Sequence, residues 1–83
     1  MKNNLFKESQ KGLVIIKNTI LKLLMSETDG LTNSQIARIL GLESSHEGNQ
    51  KDYLTYSVLG ILMSEGKVKK LRDGRTVLYV AIK

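Results

Sequence analysis

The sequence predicts an α+β fold that is mainly α, with three helices followed by a C-terminal two-stranded β-hairpin. Two observations favour this fold class. Apolar residues recur at spacings of three and four in three segments that precede residue 66. Beyond them, the turn pair Asp73-Gly74 separates two runs of β-prone residues. Because 83 residues with 41% hydrophobic and 25% charged side chains can build one small core, we expect a single domain over residues 1–83.

The first helix is predicted over residues 9–26, because its apolar side chains return to one face of an amphipathic helix. These side chains are Leu13, Ile16, Ile20, Leu23 and Leu24. The turn dipeptide Asp29-Gly30 is expected to end the helical segment. Residues 1–8 precede the apolar pattern, and we expect them to be flexible.

The second helix is predicted to begin with a capping box. In this motif the Thr32 hydroxyl accepts from the backbone N–H of Gln35, and the Gln35 side chain reaches back to the backbone of Thr32. Gly41 suits the left-handed residue that ends many helices. Ala37 allows close approach of a neighbouring helix, and Arg38 is expected to point outward. The predicted buried edge consists of Ile36, Ile39 and Leu40.

A third helix is predicted over residues 50–64, after a connection rich in Ser, Gly and Glu. Two starts are compatible with the sequence. Ser44 with Glu47 would form a capping box, and Asn49 would cap a helix that begins later. We favour Asn49, because Gly48 is a poor helix residue. Four apolar residues are spaced as expected for one buried helix face, namely Leu54, Val58, Ile61 and Leu62.

The hairpin is predicted from residues 68–72 and 75–82, which flank Asp73-Gly74, a pair typical of a type I′ turn. This turn would pair Arg72 with Arg75, Lys70 with Val77, and Val68 with Tyr79. The tip of the hairpin is then basic and its base is apolar, so we expect the base to contribute to the core.

The net charge of +5 at pH 7 is unevenly distributed along the chain. Residues 1–42 carry +3, residues 43–66 carry −3 and residues 67–83 carry +5. Five cations lie close together in the predicted hairpin, namely Lys67, Lys69, Lys70, Arg72 and Arg75. This density favours contact with the phosphates of a nucleic acid. The alternative is a charged edge strand that discourages aggregation, which requires no ligand.

The composition argues against most kinds of catalytic site. The absence of Cys excludes disulfides, thiolate zinc sites and a cysteine nucleophile, and one His is a poor basis for a catalytic triad or metal site. We therefore expect no enzyme activity, no catalytic residue, no metal and no cofactor. The sequence has no apolar run long enough to span a bilayer and no export signal, which predicts a cytoplasmic protein without a membrane partner.

Four stretches of the sequence indicate a characteristic order of elements. They are Leu31-Thr32 before residues 35–42, residues 58–62, residues 65–68, and the hairpin over residues 69–79. Together they resemble the winged helix-turn-helix family. The resemblance implies that the third helix lies in the major groove of double-stranded DNA, and that the hairpin, called the wing, contacts the phosphate backbone. Residues 42–54 are also similar, more faintly, to winged-helix segments attached to restriction endonucleases.

The function implied by this resemblance is a DNA-binding module. It would be either a small transcriptional regulator or the DNA-reading domain of a restriction-modification type protein. Contacts from the recognition helix are implied for Ser45, Asn49, Gln50, Lys51, Tyr53 and Tyr56. Contacts from the wing are implied for Lys69, Lys70, Arg72 and Arg75.

Some of these residues also suit purely structural roles, and the sequence leaves the choice open. Asn49 is equally suited to being only a helix cap, and Tyr53 and Tyr56 to packing against the wing. Asp52 disagrees with the implied contacts, because a carboxylate is repelled by phosphate. Either the acidic groups lie on the edge away from the duplex, which we favour, or the wing makes most of the contacts.

The competing function is a protein-interaction or dimerisation module with little DNA binding. Leu59 and Met63 fall on the outward side of the predicted third helix, where another surface should cover them. A homodimer through these residues and the first helix would do so. The returning hairpin, or the N-terminal segment with Leu5 and Phe6, would do so equally well.

Overall fold

The computed structural model describes residues 2–43 and 52–83 of the chain. Its elements, in chain order, are α1 (Lys2–Ser26), α2 (Asn33–Leu40), α3 (Tyr53–Ser64), β1 (Val68–Asp73) and β2 (Thr76–Ala81). The two strands form an antiparallel hairpin. The fold class predicted from the sequence is thereby confirmed as α+β, mainly helical, with three helices and a C-terminal hairpin.

Helix α1 begins at Lys2, so the predicted start near Ser9 is wrong. Residues 2–8 contain neither Gly nor Pro, and nothing in them interrupts helical hydrogen bonding. Their polar character is reflected in their exposure to solvent, since residues 2–11 are all exposed. The flexibility expected of residues 1–8 stays a prediction. At the other end the helix stops as predicted, and the N–H of Gly30 donates to the carbonyl of Glu27 at 2.9 Å.

The core lies where α1, α2, α3 and the base of the hairpin meet. Its buried apolar side chains are Ile20, Leu24, Leu31, Ile36, Val58, Leu59, Leu62, Val68 and Tyr79. Leu31, in the connection between α1 and α2, forms an isolated antiparallel bridge with Tyr79 of β2. Two backbone hydrogen bonds of 3.1 and 2.8 Å make up this bridge. The bridge fixes the hairpin against the start of α2.

The caps of α2 are those predicted, but its buried edge differs. Both hydrogen bonds of the Thr32–Gln35 capping box form, and Gly41 ends the helix with a φ of 70°. Ile36 is buried, whereas Ile39 is exposed, which contradicts its predicted burial. The buried face of α2 is centred on Ile36 and the fully buried Ala37, and at helical spacing Ile39 lies outside this face.

Helix α3 is rotated relative to the prediction. Leu54, predicted in the core, is 47% exposed, whereas Leu59, predicted on the outward side, is 0% exposed. Met63 is half-buried against the core, and Ile61 is also half-buried. Thr55 is buried in place of Leu54, because its hydroxyl donates to the carbonyl of Asp52 at 3.0 Å. The buried face is therefore formed by Thr55, Val58, Leu59 and Leu62.

The start of α3 also differs from the prediction. The helix begins at Tyr53 with Asp52 in the cap position, rather than at residue 50. The Asp52 side chain makes no capping hydrogen bond. The predicted cap, Asn49, lies outside the described residues.

The hairpin forms with a register that differs from the prediction by two residues. Asp73 pairs with Thr76 and Lys70 pairs with Tyr79, so the connecting loop is Gly74-Arg75. Gly74 has a φ of 63° and Arg75 does not have a positive φ, which are the signs of a type II′ turn rather than the predicted type I′. Because the shift is an even number of residues, each side chain keeps its predicted face of the hairpin.

Candidate nucleic-acid interface

The two faces of the hairpin differ in chemistry. On one face, Lys70 and Arg72 of β1 lie opposite Tyr79 and Val77 of β2. The two cationic side chains are exposed, whereas Tyr79 is 3% exposed. This face is turned towards the start of α2 and the exposed side of α3.

Between these three elements lies a cavity of about 530 Å³, which we call the hairpin groove. Its lining residues are Thr32, Asn33 and Ser34 at the start of α2, Tyr56 of α3, and Lys70, Arg72, Thr76, Val77 and Tyr79 of the hairpin. The lining includes two cations, two aromatic rings and several hydroxyl groups, and within residues 2–43 and 52–83 it includes no carboxylate. This combination suits an anion that also carries a flat apolar group.

The start of α2 contributes hydrogen-bond donors to the hairpin groove. The capping box occupies the backbone N–H groups of Thr32 and Gln35, at 2.9 and 3.1 Å. The N–H groups of Asn33 and Ser34 belong to the same first turn and have no hydrogen-bond acceptor within the described residues. Such N–H groups, at the positive end of the helix dipole, favour a bound anion.

The carbonyl of Asp52 holds the beginnings of α2 and α3 together. It accepts from the Asn33 side-chain amide at 3.2 Å, from the Thr55 hydroxyl at 3.0 Å and from the N–H of Tyr56 at 3.1 Å. Tyr56 is thereby positioned at the wall of the hairpin groove. The side-chain oxygen of Asn33 is buried and has no hydrogen-bond partner in the described part of the chain.

Tyr56 and Tyr79 form the aromatic part of the hairpin groove. Burial raises the pKa of the Tyr79 hydroxyl above its ordinary value, and the neighbouring Tyr56 raises this pKa further. Tyr79 therefore stays protonated well above neutral pH, and its position is fixed by the bridge to Leu31. Tyr56 is 40% exposed, so part of its ring is accessible from the groove.

The structure brings together three of the residues predicted to contact DNA and separates three others from them. Tyr56, Lys70 and Arg72 line the hairpin groove. Lys69 is on the opposite face of the hairpin, at a second cavity of about 380 Å³. Arg75 lies exposed in the loop, and Tyr53 is exposed at the start of α3 outside the groove lining. The predicted contacts Ser45, Asn49, Gln50 and Lys51 lie outside the described residues.

Six groove residues were not among the contacts predicted from the sequence, namely Thr32, Asn33, Ser34, Thr76, Val77 and Tyr79. A signal for the first three was present, since the capping box marked a helix start, and helix starts bind anions. Tyr79 was recognised only as part of the hairpin base. Its place beside Tyr56 depends on the Leu31 bridge, which the sequence pattern did not indicate.

Glu65 explains why Lys67 does not belong to the interface. Its carboxylate accepts from Lys17 of α1 at 2.6 Å, and Lys67 lies 3.8 Å from its other oxygen. The hydrogen bond from Lys17 is the main reason that the pKa of Glu65 is lowered, and Lys67 contributes to the same effect. We call these three residues the Glu65 junction. Neither Glu65 nor Asp52 lines the hairpin groove.

Within residues 2–43 and 52–83, no cluster of acidic or histidine side chains is arranged to bind a metal ion. None of the helices in these ranges has the length and apolar character needed to cross a membrane. Comparison with protein-family models, with curated proteins and with solved structures found no match to this chain.

Proposed function

We propose that this chain is a DNA-binding module of the winged-helix type, with the hairpin as its wing. The observation that carries the proposal is the hairpin groove, in which Lys70 and Arg72 face the N-terminus of α2 and Tyr56, with no carboxylate among the described lining residues. The order of elements also supports it. A helix, the bridging residue Leu31, two further helices and a basic hairpin follow one another as in that family.

In the proposed complex, double-stranded DNA lies across the groove face. Lys70 and Arg72 neutralise backbone phosphates and release counterions, which gives affinity without sequence preference. The exposed side of α3 faces the major groove with Tyr53, Tyr56 and Gly60. This side carries no charged residue between Tyr53 and Ser64. The proposed base contacts therefore remain those of Ser45, Asn49, Gln50 and Lys51, which precede α3.

No catalytic step is assigned to this chain. A module of this kind acts by occupying a DNA site, either as a small transcriptional regulator or as the DNA-reading part of a restriction-modification type protein. Both roles require the same interface, and they differ in what is attached to it or placed next to it on the DNA.

The test is fluorescence anisotropy of a labelled random duplex, titrated at several salt concentrations. We compare the wild type with Lys70→Ala/Arg72→Ala and with the matched control Lys69→Ala/Lys83→Ala, which removes the same charge from the opposite face of the hairpin. The groove variant is expected to bind about tenfold more weakly and to lower the salt slope by about 2. The control is expected to retain most of the affinity.

Two outcomes would contradict the proposal. Equal weakening by both double variants would mean that binding follows total charge and not the hairpin groove. No binding of the wild type at low salt would exclude a DNA-binding function for the isolated chain.

A second candidate function, a protein-interaction module, is favoured by one observation. Helix α1 exposes the large apolar side chains of Leu5, Phe6, Val14 and Ile15. The predicted homodimer surface at Leu59 is wrong, because Leu59 is buried in the core. Self-association is accordingly proposed through the exposed side of α1.

A further inference from the structure

We infer that the hairpin groove binds one unpaired nucleotide of a DNA strand, with its base on Tyr56 and its phosphate between the hairpin cations and the start of α2. This inference rests on the proposed DNA binding and deepens it. It assigns a preferred substrate to the interface, namely duplex DNA with a single-stranded extension, gap or displaced base.

The size and shape of the groove suit a single nucleotide. Its volume of about 530 Å³ is bordered by the start of α2, the side of α3 and one face of the hairpin, and the groove is open to solvent. Pockets for small ligands typically measure about 300–1,000 Å³. A single nucleotide fits a cavity of this size, whereas a stacked duplex can only lie across its opening.

The aromatic wall of the groove suits an exposed base. Tyr56 lines the groove and is 40% exposed, and Tyr79 lies beside it in a fixed position. Val77 adds an apolar side chain to the same lining. An aromatic ring binds a base by stacking, and inside a duplex the base faces are already covered by neighbouring bases. Only an unpaired base can therefore use this wall.

Positive charge is arranged on both sides of this wall. Lys70 and Arg72 line one side of the groove, and neither forms an ion pair within the described residues. The N–H groups of Asn33 and Ser34 are on the other side. A phosphodiester attached to a stacked base would find cationic donors on one side and backbone donors on the other.

The experiment compares three labelled DNAs at one salt concentration. They are a blunt duplex, the same duplex with a short single-stranded extension, and that extension with abasic sites in place of its bases. The two extended DNAs carry the same phosphates, so their difference isolates the bases. The extended duplex is expected to bind about tenfold more tightly than the blunt one, and the abasic extension is expected to lose most of this preference.

Variants of α3 test whether the preference for the extended duplex arises in the hairpin groove. Tyr56→Ala is expected to bind all three DNAs with similar affinity, whereas Tyr56→Phe keeps the ring and the preference. Tyr53→Ala is the matched control for the preference, because Tyr53 is an exposed tyrosine of α3 outside the groove lining. It is expected to weaken the binding of all three DNAs by the same factor and to keep the preference for the extension. Circular dichroism verifies that each variant is folded. Should Tyr56→Ala fail to fold, the comparison of natural and abasic extensions by the wild type decides.

Several results would overturn the inference. Equal affinity for blunt and extended duplexes would do so while leaving the proposed DNA binding intact. Loss of the preference in Tyr53→Ala as large as in Tyr56→Ala would place the base elsewhere. Displacement of the extended duplex by a free nucleoside monophosphate as effectively as by a single strand would assign the groove to a small ligand. Failure to bind any of the three DNAs would refute the proposed function as well.

Discussion

Among the described glycines, Gly30 is the one that packs most tightly against another part of the chain. Its φ is 89°, and a Cβ atom added there would lie 2.9 Å from Cγ1 of Val80 and 3.1 Å from the carbonyl oxygen of Tyr79. A side chain at this position would be strained by its backbone conformation and would also push β2 away from the Leu31 bridge. The position therefore requires glycine for two separate reasons.

We predict that Gly30→Ala lowers the free energy of unfolding by more than about 2 kcal/mol, through backbone strain and overpacking together. Urea denaturation measures this loss. Gly41→Ala is the control, since Gly41 has a φ of 70° but open space around its Cβ position. Its loss should be clearly smaller. Equal losses at the two glycines would show that the contact with β2 adds nothing.

Gly60 presents the opposite case, because neither its backbone nor its surroundings within the chain require glycine. It lies on the exposed side of α3, its φ is not positive, and no atom of the described residues lies within 4 Å of its Cβ position. A glycine inside a helix costs about 0.5–1 kcal/mol relative to alanine. In the proposed complex this position is on the surface that faces DNA.

We predict that Gly60→Ala raises the unfolding free energy by about 0.5–1 kcal/mol and at the same time weakens duplex binding, because the added methyl group keeps α3 from the DNA. Thermal unfolding and anisotropy measure the two effects. Gly12→Ala in α1, where the Cβ position is also open, should stabilise without loss of affinity. Unchanged affinity of Gly60→Ala would mean that this part of α3 does not touch DNA.

At the scale of the elements, α3 shows what the sequence could and could not predict. Its existence and its end at Ser64 followed from the sequence, but two different faces satisfy the apolar spacing. The face with Leu54 contains only apolar residues, whereas the observed face includes Thr55. Burial of Thr55 is tolerated because its hydroxyl bonds to the carbonyl of Asp52, a contact that a hydropathy pattern does not contain.

We predict that Leu59→Ala lowers the unfolding free energy by about 2–5 kcal/mol, as expected for a fully buried leucine. Leu54→Ala, on the exposed side, should change it by less than about 0.5 kcal/mol. Denaturant titration of both variants distinguishes the two faces. The reverse order of effects would restore the orientation of α3 predicted from the sequence.

The sequence predicted the hairpin itself but not its register, because the register also depends on a contact outside the local sequence pattern. Both Asp73-Gly74 and Gly74-Arg75 can form a two-residue loop, since each places a glycine at a position with positive φ. The tertiary bridge between Leu31 and Tyr79 lies far outside such a local pattern. The groove cations were nevertheless identified, because an even shift keeps Lys70 and Arg72 on one face. The contacts predicted within residues 44–51 stay predictions.

The Glu65 junction joins α1 to the end of α3 and makes stability depend on pH. Since the pKa of Glu65 is lowered in the folded protein, mainly by Lys17, the carboxylate stabilises the fold at neutral pH. This contribution is lost as the pH falls from about 4.5 towards the lowered pKa. We predict that Glu65→Gln has a lower melting temperature than the wild type at pH 7 and that the difference disappears in acid.

Thermal unfolding of both proteins at pH 7 and pH 3 measures this effect. Glu8→Gln serves as the control, because Glu8 forms no ion pair within the described residues. It should unfold like the wild type at both pH values. A difference between Glu65→Gln and the wild type that persists unchanged at pH 3 would assign the role of Glu65 to packing rather than to charge.

At the scale of the whole molecule, the hairpin groove and the apolar side of α1 are two distinct surfaces. The protein-interaction candidate predicts a solution mass of twice 9.3 kDa for the wild type and a single chain mass for Ile15→Lys. Met25→Lys, which changes an exposed apolar residue nearer the other end of α1, should remain associated. Light scattering measures the masses. One chain mass for all three proteins would leave DNA binding as the sole candidate.

The bridge between Leu31 and Tyr79 has a consequence for the order in which the molecule is made. All three helices leave the ribosome before β2, so the nascent chain carries Tyr56 and the start of α2 before Tyr79 is synthesised. The groove cannot assemble until this strand has been synthesised. A chain interrupted before β2 would therefore lack Thr76, Val77 and Tyr79 of the groove lining and the bridge that positions the hairpin.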